Sequence, residues 1–345
     1  MPDPHAALVP LGWDERVATL FASHEAPGVV PGRVGRVERS ASFVHLADGG
    51  VLAEGEELPA VGDWVAVRAA EGGTFLVEAI LPRSSALSRQ DPGAQTEQVL
   101  AANIDVVAIV APLDRLKVAR VERELLVAWE SGARPLVVLT KGDVVDDPDR
   151  ARADLADRLV GSDVVVTSAK TGAGVDLVRE ALQPNRTAVL FGPSGAGKST
   201  LANALLGEEV LATGEVREGD SRGRHTTTSR HLFTIPGGGV LIDTPGIRSI
   251  TIWRGEEGLA SAFADVEAAT AACRFRDCAH DREPGCGITA AVERGELDPE
   301  RVANYRKLLR EVEFAERQHD LQFQQERKEK WKAIHKAARQ FPKKR

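Results

Sequence analysis

Apolar and polar residues alternate in the first third of the chain, after an amphipathic stretch at 11–24 that predicts a short helix. Gly-Gly pairs at 49–50 and 72–73 interrupt the alternation and predict tight turns between short strands. Four or five such strands within residues 29–95 indicate a small closed or nearly closed β-barrel, for which an OB-fold is one form. A β-domain without a binding role fits this pattern equally well, and residues 1–28 precede it as an extension.

Beyond residue 95 nearly continuous apolar runs alternate with helical patterns. The apolar runs predict buried strands at DVVAIVAPLD, PLVVLTKGD, DVVVTSAK and TAVLFG. The segments between and after them predict helices at RVERELLVAWESG, PDRARADLADRLVG, GVDLVREAL and KSTLANALLG. This alternation is typical of an α/β fold with a parallel sheet covered on both faces. HLFTIP and VLIDTPG flank three glycines and predict a hairpin, so we place this domain at 96–254.

Composition limits the protein to a few classes. A chain of 345 residues is long for one domain, and its net charge of −7 excludes a uniformly basic nucleic-acid binder. The longest apolar runs, such as residues 106–110, have the length of strands rather than membrane spans. The N-terminus MPDPHAALVP lacks the pattern of a secretion signal, so we expect a cytoplasmic protein that does not contact membranes.

A phosphate-binding loop follows the strand TAVLF. The stretch from Gly192 to Ser199 matches G-x-x-x-x-G-K-[ST] and precedes a helix, which is the context this motif requires. The backbone N–H groups and the helix N-terminus would hold phosphates, Lys198 would neutralise them, and the Ser199 hydroxyl would bind Mg²⁺. The residues assigned to this loop are Gly192, Pro193, Ser194, Gly195, Ala196, Gly197, Lys198, Ser199 and Thr200.

Two further strand ends carry the chemistry of guanine recognition. The Asp143 carboxylate can accept from N1–H and the exocyclic amine of guanine, a pair that adenine lacks. The Lys141 stem can cover the base, and the Ala169 N–H can donate to its carbonyl. Thr140, Lys141 and Asp143 resemble the [NT]-K-x-D motif of GTPases, and Ser168, Ala169 and Lys170 resemble S-A-K.

These guanine motifs precede the phosphate loop, whereas in ordinary GTPases they follow it. The order predicts a circularly permuted domain, which is tolerated where the native termini lie close together. Thr140 stands where asparagine is usual, and we expect this replacement to weaken the tie between the guanine loop and the phosphate loop.

Magnesium and water-positioning residues are expected near the hairpin. Asp243 opens the D-x-x-G sequence that ends at Gly246, whose N–H can meet the γ-phosphate. Thr227 is our choice for the threonine that completes the Mg²⁺ shell with Ser199 and Asp243, with Thr226 and Thr228 as alternatives. Ile247 replaces the glutamine that often orients the attacking water, and His225 is a hypothetical substitute.

All three cysteines lie within one short segment together with a histidine. Cys273, Cys278, His280 and Cys286 form a ligand set suited to one structural Zn²⁺. We place this helical zinc module at 255–320. The tail 321–345 holds nine Lys or Arg against two Glu and predicts a surface that attracts RNA phosphates, or else a solvated charged helix.

The order of these motifs resembles the RsgA (YjeQ/YloQ) family of bacterial GTPases, which act in maturation of the small ribosomal subunit. The resemblance rests on TKGD, SAK, GPSGAGKST, GRHTTT, DTPG and CRFRDCAHDREPGC, and it covers nearly the whole chain. It implies GTP, GDP and Mg²⁺ on the sheet, contacts with ribosomal RNA through the barrel and zinc module, and hydrolysis stimulated by the subunit. We expect a monomer. A nucleotide-gated RNA-binding protein with little catalysis and a P-loop kinase are the alternatives, and the kinase would not need Asp143.

Overall fold

The computed structural model describes residues 4–70, 73–90, 97–211, 230–243, 255–281 and 283–318. Several of the predicted positions lie outside these ranges, namely Thr226, Thr227, Thr228, His225, Gly246, Ile247 and the tail 321–345.

The helix in the N-terminal extension is shorter than the sequence pattern predicts. A 3-10 turn at Ala6–Leu11 ends where Gly12 adopts a φ of +89°, and helix α1 then covers Glu15–Ala22. The Asp14 carboxylate caps α1 by accepting a hydrogen bond from the Val17 N–H at 2.8 Å. The short helix predicted at 11–24 is therefore confirmed with narrower bounds, because the left-handed Gly12 and the Asp14 cap begin it at Glu15.

Five strands close the predicted barrel. They are β1 (Val29–Val37), β2 (Ser42–Leu46), β3 (Gly49–Glu54), β4 (Trp64–Ala69) and β5 (Phe75–Ile80). Their order is β1-β2-β3-β5-β4 and back to β1, with β3 and β5 parallel and the other pairs antiparallel. Small apolar side chains fill the interior, among them Val34, Val44, Ala53, Val65 and Val67. This closed Greek-key order is that of the OB-fold.

A two-stranded ribbon leads out of the barrel. Strands β6 (Ala86–Gln90) and β7 (Glu97–Ala102) pair antiparallel and straddle the predicted boundary after residue 95. The hydrophobic pattern did not reveal this ribbon, which lies between the two domains that it connects.

The α/β domain has the predicted strands and helices. Its strands are β8 (Val106–Pro112), β9 (Arg134–Thr140), β10 (Asp163–Val166), β11 (Thr187–Phe191), β12 (His231–Thr234) and β13 (Val240–Asp243). Their order is β10-β9-β8-β11-β13-β12, parallel except for β12. The helices are α2 (Val118–Glu130), α3 (Pro148–Arg158), α4 (Val175–Ala181) and α5 (Lys198–Leu206). Separate hydrophobic clusters cover the two faces of this sheet, as expected for buried parallel strands.

The barrel and the α/β sheet are joined edge to edge. Strand β12 pairs with β1 through Arg36 and His231, so the described strands of both domains form one continuous sheet. Beneath this junction the buried guanidinium of Arg33 donates to the carbonyl oxygen of Leu11, to the carbonyl oxygen of Asn103 at 3.1 Å and to Oγ1 of Thr187 at 2.7 Å. Burial lowers the pKa of Arg33 to about 10, which leaves it charged at neutral pH.

The C-terminal module contains α6 (Glu256–Ala262), α7 (Ala264–Thr270), α8 (Gly287–Glu293) and a helix described from residue 299 to 318. Buried ionic groups fix it to the α/β domain. Arg301 donates to Glu122 of α2 at 3.1 Å and pairs with Asp265 at 2.6 Å, and Asn304 donates to Glu122 at 2.6 Å. Within the described residues, no helix combines the length and apolar character needed to span a membrane.

Candidate nucleotide site and metal centre

The carboxyl ends of four parallel strands bring the predicted nucleotide motifs to one edge of the sheet. Strand β9 ends at Thr140, β10 at Val166, β11 at Phe191 and β13 at Asp243. The guanine loops lie on β9 and β10, and β8 separates them from the phosphate loop on β11. Because strand order in the sheet differs from chain order, the inverted motif sequence still brings the guanine loops and the phosphate loop to the same edge of the sheet.

Glycines shape the phosphate loop between β11 and α5. Gly192, Gly195 and Gly197 have φ values of +146°, +71° and +94°, which side chains rarely adopt. A Cβ at Gly192 would lie 2.3 Å from the carbonyl oxygen of Val110. The Lys198 ammonium folds back to donate to the carbonyl oxygens of Gly192 at 2.8 Å and Pro193 at 2.7 Å. The loop therefore has the curled backbone required to surround phosphates.

Thr140 ties the guanine loop to the phosphate loop. Its hydroxyl donates a hydrogen bond to the carbonyl oxygen of Ala196 at 2.6 Å, and both residues are buried. The tie is therefore present with threonine in place of asparagine, and its expected weakening relative to asparagine stays a prediction. The guanine loop and the phosphate loop are thus held in a fixed relation.

Ser168 holds the carboxylate that would read the base. Its hydroxyl donates to Oδ1 of Asp143 at 2.7 Å, and this hydrogen bond is the main reason that the pKa of Asp143 is lower than usual. Lys141 precedes this carboxylate with a φ of +60°. The two guanine motifs are therefore in contact, with Ala169 and Lys170 directly after Ser168.

The turn after β8 adds two contacts that the sequence motifs did not reveal. Lys141 Nζ pairs with Asp114 Oδ2 at 2.8 Å, and the Arg115 guanidinium donates to the carbonyl oxygen of Gly195 at 2.8 Å. One turn thus supports both the guanine loop and the phosphate loop. The sequence does contain a signal for this turn, because it follows a buried strand directly, and the carboxyl ends of parallel strands are where ligands bind in such sheets.

Asp243 ends β13 beside the phosphate strand β11, and Ser199 lies in the first turn of α5. A half-buried carboxylate and a hydroxyl at this edge are the hard oxygen donors that Mg²⁺ prefers. His231 is the cross-strand partner of Asp243. Burial and then Arg36 lower the pKa of His231, while the charge of Asp243 raises it.

A buried carboxylate on α2 lies within electrostatic reach of the phosphate loop. Oε1 of Glu124 accepts from Arg120 at 2.9 Å, whereas Oε2 has no hydrogen-bond partner. Burial raises the pKa of Glu124, and the charges of Arg120 and Lys198 oppose this rise. The sequence gave no indication that Glu124 is buried near Lys198, because Glu124 lies within an ordinary amphipathic helix pattern.

The cysteine cluster forms a compact ligand set in the C-terminal module. The ligand atoms of Cys273, Cys278, His280 and Cys286 all lie within 4.8 Å of one another. Nδ1 of His280 lies 3.5 Å from Sγ of Cys273 and 3.9 Å from Sγ of Cys286. Three sulfurs and one nitrogen this close suit tetrahedral Zn²⁺ at bond lengths of about 2.0–2.3 Å. The four residues could therefore hold one zinc ion as a closed structural site.

Comparison with known proteins agrees with this geometry. A family model described as RsgA GTPase matches residues 80–253. The small ribosomal subunit biogenesis GTPase RsgA of Streptomyces avermitilis is 44% identical to this chain over 339 residues. The aligned region covers 94% of this chain and 91% of the Streptomyces protein.

Two solved structures share the fold. YjeQ from Thermotoga maritima has a TM-score of 0.64 at 26% identity, covering 82% of this chain and 98% of its own. YloQ, described as a circularly permuted GTPase, has a TM-score of 0.62 at 23% identity, covering 83% of this chain and 95% of its own. The protein is a circularly permuted P-loop GTPase with an OB-like barrel and a C-terminal cysteine–histidine module, and it belongs to the RsgA GTPase family.

Proposed function

We propose that this GTPase binds GTP and Mg²⁺ at the carboxyl edge of its parallel sheet and hydrolyses GTP while docked on the small ribosomal subunit. Hydrolysis to GDP and phosphate assists late maturation of that subunit. The contact between Thr140 and Ala196 is the observation that best supports a single nucleotide site, because it links the guanine loop to the phosphate loop.

The base is read by the guanine motifs. The Asp143 carboxylate, held by Ser168, accepts two hydrogen bonds from guanine and rejects adenine, which would leave the charge unpaired. The Ala169 N–H donates to the guanine carbonyl. Lys141 covers the base plane, with its ammonium restrained by Asp114. Thr140 and Lys170 support these two loops.

The phosphates are held by the loop from Gly192 to Thr200. Lys198 exchanges its two carbonyl contacts for phosphate oxygens, which gives it a stronger, charge-assisted partner. Ser199, Asp243 and Thr227 hold Mg²⁺, which neutralises charge on the β- and γ-phosphates when bound. The Gly246 N–H meets the γ-phosphate.

Turnover is slow in the isolated protein. Ile247 cannot orient water, so this task falls to His225 or to a group that the docked subunit supplies. Docking therefore acts as the signal for hydrolysis, and loss of the γ-phosphate releases the protein from the subunit.

The partner is proposed from both resemblance and charge. The relative from Streptomyces avermitilis is named for small ribosomal subunit biogenesis. The basic tail 321–345 and the zinc module, with its exposed Phe275, supply surfaces for ribosomal RNA. The protein acts as a cytoplasmic monomer.

Steady-state GTP turnover of the full chain tests this proposal. The rate is measured for the protein alone, for the protein with purified small subunits, and for the protein with large subunits as the matched control. We expect small subunits to raise the rate at least tenfold and large subunits to leave it unchanged. His225→Ala should lower the stimulated rate at unchanged GTP affinity. A rate that small subunits do not change would contradict the proposal.

A further inference from the structure

Among the described residues, two cationic side chains donate to the phosphate loop, and the sequence motif contains only one of them. The Lys198 ammonium donates to carbonyl oxygens at the start of the loop. The other cation is Arg115, whose Nη2 donates to the carbonyl oxygen of Gly195 at 2.8 Å from a position 80 residues earlier in the chain. Arginine stays charged at every physiological pH, so Arg115 adds a permanent positive charge beside the loop.

The strand order places Arg115 on the base side of the phosphate loop. Arg115 ends a 3-10 turn at Leu113–Arg115, directly after β8. Strand β8 pairs with β9, which carries a guanine loop, and with β11, which carries the phosphate loop. Strand β13, which ends at Asp243, pairs with β11 on its other side. A nucleotide with its base at β9 and its terminal phosphate toward β13 must therefore pass its sugar and first phosphate over the end of β8.

The contacts of Arg115 compensate its charge only weakly. The carbonyl oxygen of Gly195 is neutral, and the ion pair with Asp114 joins Nε to Oδ1 at 4.0 Å, the outer limit for such a pair. The other carboxylate oxygen of Asp114 is already bound by the Lys141 ammonium at 2.8 Å. The Arg115 side chain is 55% exposed, so it can turn without displacing a buried neighbour. A phosphate would give the guanidinium a charge-assisted partner that is stronger than either present contact.

The guanidinium of Arg115 lies directly on the curl of the phosphate loop. Gly195 has a φ of +71°, and a Cβ at this position would lie 2.6 Å from Nη2 of Arg115. Glycine therefore permits both the curl and the close approach of the guanidinium. The next residue of the loop, Ala196, is the one that Thr140 binds. Arg115 thus lies where the guanine loop and the phosphate loop meet.

We propose that Arg115 is a further nucleotide-binding residue, which holds the α-phosphate that GDP and GTP share. The inference rests on the proposed function, since it assumes that a guanine nucleotide occupies this site. On binding, the guanidinium exchanges the Gly195 carbonyl for α-phosphate oxygen. Asp114 keeps its contact with Lys141, so that ammonium does not compete for the same phosphate. Because the γ-phosphate lies toward β13, Arg115 stabilises both nucleotides equally and does not act in the hydrolysis step.

Arg115→Gln tests this assignment, with Arg134→Gln as its matched control. The Arg134 side chain is also exposed, at 60%, but it lies at the amino end of β9, where it pairs with Asp163. Affinities for GDP and for a non-hydrolysable GTP analogue are measured on the full chain. Arg115→Gln should weaken binding of both nucleotides at least tenfold and to the same extent, while kcat at saturating GTP stays within about twofold of wild type, as expected when uniform binding is removed. Arg134→Gln should behave as wild type.

Sulfur in place of one α-phosphate oxygen separates a direct contact from mere support of the loop. The two diastereomers of GDP with an α-thiophosphate are compared with GDP in wild type and in Arg115→Gln. For at least one diastereomer, the loss of affinity relative to GDP should be at least threefold smaller in the variant than in wild type. Arg115→Lys, which keeps the charge without the planar fork, should recover part of the GDP affinity. An arginine that only supports the loop would leave the effect of sulfur unchanged by the substitution.

Each outcome has a distinct meaning. Wild-type protein that binds no guanine nucleotide would overturn the proposed function and this inference with it. Tight GDP binding by both wild type and Arg115→Gln would overturn the inference alone, as would an equal loss in Arg115→Gln and Arg134→Gln. A fall in kcat at unchanged affinities would place Arg115 at the γ-phosphate, and an altered preference for 2′-deoxy-GDP with an unchanged effect of sulfur would place it at the sugar. Either result would contradict the assignment to the α-phosphate.

Discussion

The hydroxyl of Thr140 and the carbonyl oxygen of Ala196 lie 2.6 Å apart, although 56 residues separate them in the chain. This hydrogen bond joins the loop that would recognise guanine to the loop that would hold the phosphates. A permuted chain reaches the same arrangement because the sheet places strand ends by their order in space, not by their order in sequence.

Removing this hydrogen bond should weaken nucleotide binding. Thr140→Val keeps the side-chain shape but cannot donate, so the buried carbonyl of Ala196 loses its partner. A loss of about 1 kcal/mol would weaken GDP binding about fivefold. Fluorescence titration with a labelled GDP measures the change, and Thr140→Ser serves as the control that retains the donor. Equal affinities of all three proteins would show that the tie has no role in binding.

Removal of the metal should unfold the C-terminal module locally. We expect one zinc per chain, released together with a loss of helical signal when a strong chelator is added. Metal sites of this type contribute about 10–16 kcal/mol in small zinc domains. Cys286→Ala should reduce bound zinc to near zero in elemental analysis. Full zinc content in this variant would exclude the proposed ligand set.

Nucleotide binding provides the control for metal removal. The zinc ligands lie in the module after residue 255, whereas the nucleotide loops lie on the α/β sheet. GDP affinity of Cys286→Ala should therefore stay within about threefold of wild type, which separates a local effect from global unfolding.

The buried pair between Arg301 and Glu122 should be important for stability. Both side chains are almost fully buried, at 2% and 0% exposure, so Arg301→Met leaves a buried carboxylate with weaker partners. We expect a loss of about 3–5 kcal/mol in the free energy of unfolding, measured with urea. Arg294→Met breaks an exposed pair with Glu296 and should leave the free energy of unfolding nearly unchanged, because solvent screens such a pair. Similar losses in the two variants would contradict the structural difference between them.

The stability of wild-type protein should depend on pH through Glu124. Burial raises the pKa of its carboxyl above the ordinary value of 4.5, so the ionised form is disfavoured in the folded state. The contribution of this group to stability is complete below pH 4.5 and is lost as pH rises through the folded-state pKa. Glu124→Gln resembles the protonated form and should therefore gain stability relative to wild type between pH 4.5 and pH 8.

Thermal unfolding of both proteins at several pH values measures this difference. Glu54→Gln, at an exposed barrel position, controls for the loss of one carboxylate. A difference between Glu124→Gln and wild type that stays constant from pH 4.5 to pH 8 would show that Glu124 titrates as an ordinary surface group.

The sequence predicted the elements whose signals are local. Alternation identified the barrel strands, apolar runs identified β8 to β11, and glycine spacing identified the phosphate loop. The ligand set of Cys273, Cys278, His280 and Cys286 could also be predicted, because the four residues lie close together in the chain and form a complete tetrahedral set.

The contacts that depend on tertiary structure could not be predicted in this way. Arg115 reaches Gly195 only because β8 and β11 are neighbours in the sheet. Pairing of Arg36 with His231 requires the barrel and the α/β sheet to meet edge to edge, which no local pattern encodes. The same holds for the burial of Glu122, which depends on a helix near the other end of the chain.

Exchange of the preferred base tests most directly whether the permuted loops form one guanine-nucleotide site. In Asp143→Asn the acceptor of two guanine hydrogens becomes an amide that can donate to the 2-carbonyl of xanthine. Affinities for GTP, ATP and XTP are measured for wild type and Asp143→Asn by competition against a labelled nucleotide. We predict that the variant loses at least tenfold in GTP affinity and gains at least tenfold in XTP affinity, while ATP binds weakly to both. Unchanged preference for GTP in Asp143→Asn would contradict the account.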